Sequence, residues 1–242
     1  MSRLSEAPFY DALNAANITL SPTWYEWLRS IRNKVNDTVA GDAINIETWG
    51  AVPNTESTNA INDAINEASS INGRVHIPSN TYLVSNNLVI KSNVIIQGNG
   101  WSSIIKLKAN STLTNAGILR VKFGAGVDNV VLMNFAIDGN KANQSVATNK
   151  HGIYIEGDNI TASNLYIHDC PMYGFDPHEQ DPGSAMPSTY IALLYSYLIN
   201  NGDVSHENIV LDMTENSLIC GNFSVASARH GINLTTKSRF NI

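Results

Sequence analysis

A chain of 242 residues that is 43% hydrophobic and only 15% charged is globular, with room for one large domain or two small ones. A net charge of −6 argues against a nucleic-acid backbone as the main partner, so an anionic ligand would need a local cationic pocket. No apolar run is long enough to span a bilayer and no signal peptide is visible. The two cysteines, Cys170 and Cys220, form neither a disulfide framework nor a metal spacing.

In chain order, the first predicted element is helical. Trp24, Trp27, Leu28, Ile31 and Val35 fall on one face of an amphipathic helix, opened by Ser21 as N-cap and Pro22 at the first helical position. Residues 1–42 are therefore predicted to form a helical segment that covers the end of the main domain or serves in oligomerisation or attachment. Residues 43–242 form the second domain. Asn62–Ser70 reads as a short helix, and after it come brief β runs punctuated by Asn and Gly, such as Asn129–Asn140 and Asn159–Asp169. These runs are too short and too evenly spaced for βαβ units, and too rich in single Asn turns for hairpins.

Aligning the runs on one inward apolar residue selects Ile153, Phe175, Ile209 and Ile232, with steps of 175−153 = 22, 209−175 = 34 and 232−209 = 23 residues. The long step fits if one coil carries an insertion, for which the turn-rich Asp181–Ser188 is the natural place. Such a period in β runs predicts an all-β fold, a right-handed parallel β-helix. In-register Asn residues are expected to stack as ladders in the turns. The cysteines fall about two coils apart, beyond disulfide reach, and are predicted to be free thiols.

The stretch with the most chemistry is residues 172–180, Met-Tyr-Gly-Phe-Asp-Pro-His-Glu-Gln. On an extended backbone Asp176 and His178 point to the same side, with the Tyr173 hydroxyl nearby. A carboxylate, a group titrating near neutral pH and a phenol suit moving a proton on and off carbon. Alone, these three residues would equally suit a decorated strand edge, and the register adds the rest. It stacks Lys150, Met172 and Arg229 in one column and His151, Tyr173, Glu207 and His230 in the next. Tyr154, Asp176, Val210 and Asn233 form a third, and Glu156, His178, Asp212 and Thr235 a fourth. Lys150, Tyr173, Asp176, His178, Glu207, Arg229 and His230 are thereby gathered into one polar patch suited to an anionic substrate.

Tyr173–Gln180 resembles the active-site motif of the secreted, calcium-dependent bacterial mannuronan C5-epimerases, which act on alginate. Arg229-His230-Gly231-Ile232-Asn233 is similar to a second segment of that family, and Asp138-Gly139-Asn140 with the downstream Lys150 resembles the stretch carrying its catalytic lysine. Val75–Tyr82 and the helix before it resemble the start of pectate-lyase-like β-helices. The resemblance implies that His178 and Tyr173 are the acid/base pair at C5, and that Asp176, Lys150 and Arg229 bind or neutralise the substrate carboxylate. Glu207, His230 and Glu179 complete the substrate-binding set. Lys141 competes with Lys150 for the lysine role, and the register favours Lys150. Calcium is implied by the family only, and the metal ligands stay unassigned.

The implied activity is conversion of β-D-mannuronate to α-L-guluronate in polymeric alginate. Two alternatives are an alginate lyase or viral depolymerase, because both reactions share an intermediate, and a non-catalytic carbohydrate-binding β-helix. Two departures from the family bear on this. The Trp-rich N-terminal lead resembles bacteriophage tail proteins, which implies a homo-oligomer, a trimer if tailspike-like, and an extracellular or virion-associated location. Ser238–Ile242 begins what reads as another coil, so the groove is expected to be incomplete at its C-terminal end.

Overall fold

Residues 44–241 group as one unit, and its described strands lie mainly in three columns of short parallel strands, wound one after another. The computed structural model describes residues 43–113, 116–121, 127–145, 150–179, 186–235 and 238–239. The predicted helix at 21–35 lies outside them, as does the tail from 240 onward.

Sheet I contains Ile44–Asn45, Arg74–Ile77, Ile95–Gly98, Asp128–Met133, Asp158–Ser163, Ile191–Leu194 and Leu218–Cys220. Sheet II contains Thr81–Val84, Ile104–Leu107, Ala136–Asp138, Tyr166–His168, Tyr197–Ile199 and Phe223–Val225. Sheet III contains Leu88–Ile90, Ala116–Val121, Lys150–Ile155, Phe175–Pro177, Ile209–Asp212 and Ile232–Thr235. Every pairing within these sheets is parallel, so the predicted parallel β-helix is the fold.

The predicted register is met residue for residue: Ile153 pairs with Phe175, Phe175 with Ile209, and Ile209 with Ile232. The first three are fully buried, and each such side chain stabilises the coil stack by about 1.5–3 kcal/mol. Ile232 and Leu234 occupy the same inward columns but are half exposed, since no described strand lies beyond theirs. The helix α1 runs Thr58–Ser70, four residues earlier than the periodicity suggested, and buries Ile61, Ala64, Ile65 and Ala68 along one stripe. Both cysteines are free, as predicted; Cys170 lies just after sheet II and Cys220 ends a strand of sheet I.

The recurring asparagines have a backbone cause. Asn72, Asn93, Asn129, Asn159, Tyr190 and Asn216 enter successive strands of sheet I at one register position, all with φ between 50° and 61°. Asn tolerates this left-handed conformation better than other side chains do. Side-chain stacking of the expected kind links Asn164 Nδ2 to Asn134 Oδ1 at 2.9 Å, in the turns between sheets I and II.

Candidate active site

The outer face of sheet III brings the chemistry together. Val89, Arg120, Tyr154 and Asp176 stand side by side on successive coils. Strict alternation would turn His151 inward with Ile153. Between them Gly152 has no room for a side chain, since a Cβ would lie 2.4 Å from Gly174 O. His151, second in the strand Lys150–Ile155, nevertheless faces Asp176, with Nδ1 2.8 Å from Oδ2.

That contact is close but not aligned as a hydrogen bond, and no other hydrogen bond reaches either Asp176 oxygen. Asp176 is 1% exposed, so it is a buried carboxylate without the partners such groups normally require. His178 sits between two further carboxylates, with Nδ1 2.6 Å from Glu179 Oε2 and Nε2 3.3 Å from Asp212 Oδ2. Burial disfavours its charged form, but Asp176, Asp212 and Glu179 outweigh burial and hold the imidazole pKa above its ordinary value. Its backbone is pinned from both sides: His178 N donates to Ile155 O at 2.7 Å, and the Ser188 hydroxyl donates to His178 O at 2.5 Å.

Tyr173 has its phenol pKa raised by burial first, then by Glu207, Asp176 and Asp212, with Arg229 opposing. It is therefore a protonated group, a donor rather than a base. The rings form a connected set: His151 lies 5.4 Å from Tyr173 and 5.3 Å from Tyr154, and Tyr154 stacks on His178 at 5.6 Å. Arg120 lies 5.8 Å over the Tyr154 ring and 3.5 Å from Glu156.

On the neighbouring coils Glu207 is fully buried and gathers three donors on Oε1: Arg229 at 3.3 Å, His230 at 3.1 Å and Asn233 at 3.2 Å. Arg229 and His230 remain half exposed, so they form the accessible rim. Glu207 was expected to bind substrate, but a side chain without exposed surface does so only through the residues that it holds.

Tyr173, Asp176, His178, Glu179, Glu207, Arg229 and His230 are thus brought to one face, and Lys150 is not. Its side chain is buried and Nζ donates to Ser111 O at 3.1 Å and Gln144 Oε1 at 3.0 Å, while burial lowers its pKa. The register placed its backbone correctly, but packing turned the ammonium toward the preceding turn. Lys141 is committed too, to Asn200 O at 2.6 Å and Gly202 O at 3.1 Å. Sequence reasoning passed over His151, though it shares the column of Tyr173 and His230. It also missed Arg120, which extending the register one coil upstream would have found.

Two groups among the described residues could hold a metal: Asp138 with His168 and Asp169, and His178 with Glu179 and Asp212. Neither fits calcium, which takes six to eight oxygen ligands. The first is already occupied by the Lys106 ammonium, 2.6 Å from Asp138, and each offers only two carboxylates beside an imidazole.

Comparison with known proteins accords with the fold. Mannuronan C5-epimerase AlgE6 of Azotobacter vinelandii is 28% identical over 146 residues, which are 56% of this chain and 15% of that protein. The solved A-module of Azotobacter vinelandii AlgE6 superposes with a TM-score of 0.72 at 26% identity, over 82% of this chain and 55% of the module. The chain thus spans about half of that solved module and much less of the full-length relative. The N-terminal fragment of bacteriophage Phi29 gene product 12, at a TM-score of 0.65 and 19% identity, shares the fold alone. The family described as rhamnogalacturonase A/epimerase, pectate lyase-like, matches residues 43–242, and the chain belongs to it.

Proposed function

We propose that this chain is a polysaccharide C5-epimerase that converts mannuronate to guluronate within a polymer. The single observation that carries the reading is the pairing of a protonated phenol, Tyr173, with a carboxylate-flanked imidazole, His178, around the buried and unbonded Asp176. A proton α to a uronate carboxylate becomes removable only if the developing enediolate charge is stabilised. Arg229 and His230, half exposed at the rim, are suited to meet the substrate carboxylate, and Asp176, buried like Glu207, acts on the site through His151 and His178.

Neutral His178 takes the C5 proton on Nε2, whose contact to Asp212 is the looser of its two, while Glu179 orients the ring through Nδ1. The electron pair passes into the carboxylate, and the Tyr173 hydroxyl delivers its proton to the opposite face of C5. Each proton-handling group is worth about 10²–10⁴ in rate. The relatives named as mannuronan C5-epimerases support polymannuronate as the substrate to try first.

The test is proton NMR of polymannuronate incubated with the protein and calcium, with ultraviolet absorbance of unsaturated ends followed in parallel. Guluronate signals growing without absorbance are expected. Rising absorbance would assign β-elimination, with the 4-linked oxygen expelled from the same intermediate. Silence in both from a folded sample would leave a carbohydrate-binding module.

A further inference from the structure

The turn from sheet II into sheet III is longer in one coil than in its neighbours. Between paired residues it takes 209−197 = 12 residues, against 175−166 = 9 one coil earlier and 232−223 = 9 one coil later. The extra length is held at several points. Lys141 Nζ donates to Asn200 O and Gly202 O, Gly202 N donates to Cys170 O at 3.0 Å, and buried Asn201 bonds Asn208 Oδ1 at 2.9 Å. Gly202 has φ 86°, and a Cβ there would lie 2.3 Å from His206 O, so only glycine closes this loop. Asp203 Oδ1 accepts from Ser205 N at 2.9 Å and contacts His206 Nδ1, while His206 N donates to Asp203 O at 3.1 Å. Besides carrying Glu207, the turn adds a ring contact to the candidate active site: the His206 imidazole packs edge-on against the Tyr173 ring, with centroids 4.8 Å apart at 77°.

We propose that the enlarged turn belongs to the catalytic apparatus, and that His206, oriented by Asp203, is a positioning residue that fixes the Tyr173 ring and shields its phenol from water. This rests on the reading of Tyr173 as the proton donor. A donor placed to reach one face of C5 must not swing, and misplacement by about an ångström can cost about a hundredfold in rate. The charged groups acting on Tyr173 are Glu207, Asp176, Asp212 and Arg229, but burial is the largest cause of its raised pKa. Removing the ring that helps to bury it should therefore lower that pKa, whatever the carboxylates do.

The experiment compares the full chain with His206→Ala and His206→Phe. Tyrosinate absorbance is titrated for each, and the same titration in a Tyr173→Phe background is subtracted to isolate Tyr173. The kcat and KM on polymannuronate are measured beside it. We expect His206→Ala to move the Tyr173 titration down toward an ordinary tyrosine and to cut kcat about tenfold or more with KM little changed. His206→Phe should restore both. An unmoved titration in folded His206→Ala overturns the proposal, as does a phenylalanine that restores the titration but not kcat. If the wild type turns over no uronan while the titration moves as expected, the positioning of Tyr173 stands and the proposed reaction falls.

Discussion

Two clusters of imidazole and carboxylate sit on adjacent faces of the same solenoid, and they differ in how completely they are satisfied. At the edge of sheet II, Asp138 accepts from Lys106 at 2.6 Å and from Asn140 N at 2.7 Å. Asp169 meets His168 at 2.7 Å and is bonded by Asn200 Nδ2. All four carboxylate oxygens have partners there, and Tyr166 stacks on His168 at 4.5 Å. On sheet III no hydrogen bond reaches either oxygen of buried Asp176 or Oε2 of Glu207, and three carboxylates bear on one imidazole. Such unfinished buried groups concentrate at functional sites, where they set the electrostatics of the side chains around them. The difference shows why composition alone would not have chosen between the two clusters.

The comparison breaks most visibly in turnover. His178→Ala and Tyr173→Phe should each lower the rate on polymannuronate by about 10²–10⁴ with little change in thermal midpoint. His168→Gln on the satisfied cluster should leave the rate nearly unchanged. Equal losses from both clusters, read by NMR-followed conversion, would remove the distinction. The next effect concerns Glu207. Replacing it with Gln removes a buried charge but keeps an oxygen for His230 and Asn233, so the midpoint should hold or rise. Activity should nevertheless fall, through a raised KM, because Arg229 loses the carboxylate that holds it at the rim. A falling midpoint with unchanged KM would make Glu207 a purely structural residue.

The register was legible because inward residues of a β-helix must be apolar at a fixed step, and Ile153, Phe175, Ile209 and Ile232 obey that rule. Asp176 and His178 were legible for the same reason, since their spacing fixes the face, whereas Tyr173 lies before the strand Phe175–Pro177 and was legible only as their neighbour. What one column cannot state is the direction of a long, flexible side chain. Lys150 occupies its predicted position, yet its four-carbon stem let the ammonium find Ser111 O and Gln144 Oε1. Nor did the spacing separate the two enlargements that make up the 34-residue step. One lies between Phe175 and the strand Ile191–Leu194, as expected, and the other is the three-residue growth that carries His206. A step length gives only their total.

A subtler effect should appear in pH dependence. The folded-state pKa of His178 is raised, so a mechanism needing the neutral base gains activity only as pH rises through that value, above the ordinary histidine value of about 6.5. Asp212→Asn removes one of the carboxylates responsible and should shift the acid limb of kcat/KM to lower pH. The same shift acts on stability. A raised pKa stabilises the fold fully below the unfolded histidine's value, and that contribution is lost as pH rises through the folded one. Asp212→Asn should therefore flatten the midpoint against pH on the neutral side, and an unmoved limb and slope would mean that Asp212 does not act on His178.

The smallest expected effect tests the satisfied side. Lys106 and Asp138 are close but partly open to solvent, with side chains 33% and 13% exposed. Such pairs contribute about 0–1 kcal/mol, because the Coulomb gain is offset by screening and by the entropy of holding a lysine still. Lys106→Met keeps most of the stem's apolar packing while removing the charge, so urea unfolding should show a loss of at most about 1 kcal/mol. Turnover should not change, since Asp138 keeps its bond from Asn140 N and bears on no residue of sheet III's outer face. The sheet II network does touch the site at one remove. Asn200 bonds both Asp169 and Lys141, and Lys141 anchors the turn that carries His206. If Lys106→Met slowed turnover, that chain of contacts would be the route, and the two clusters would have to be treated as one coupled network.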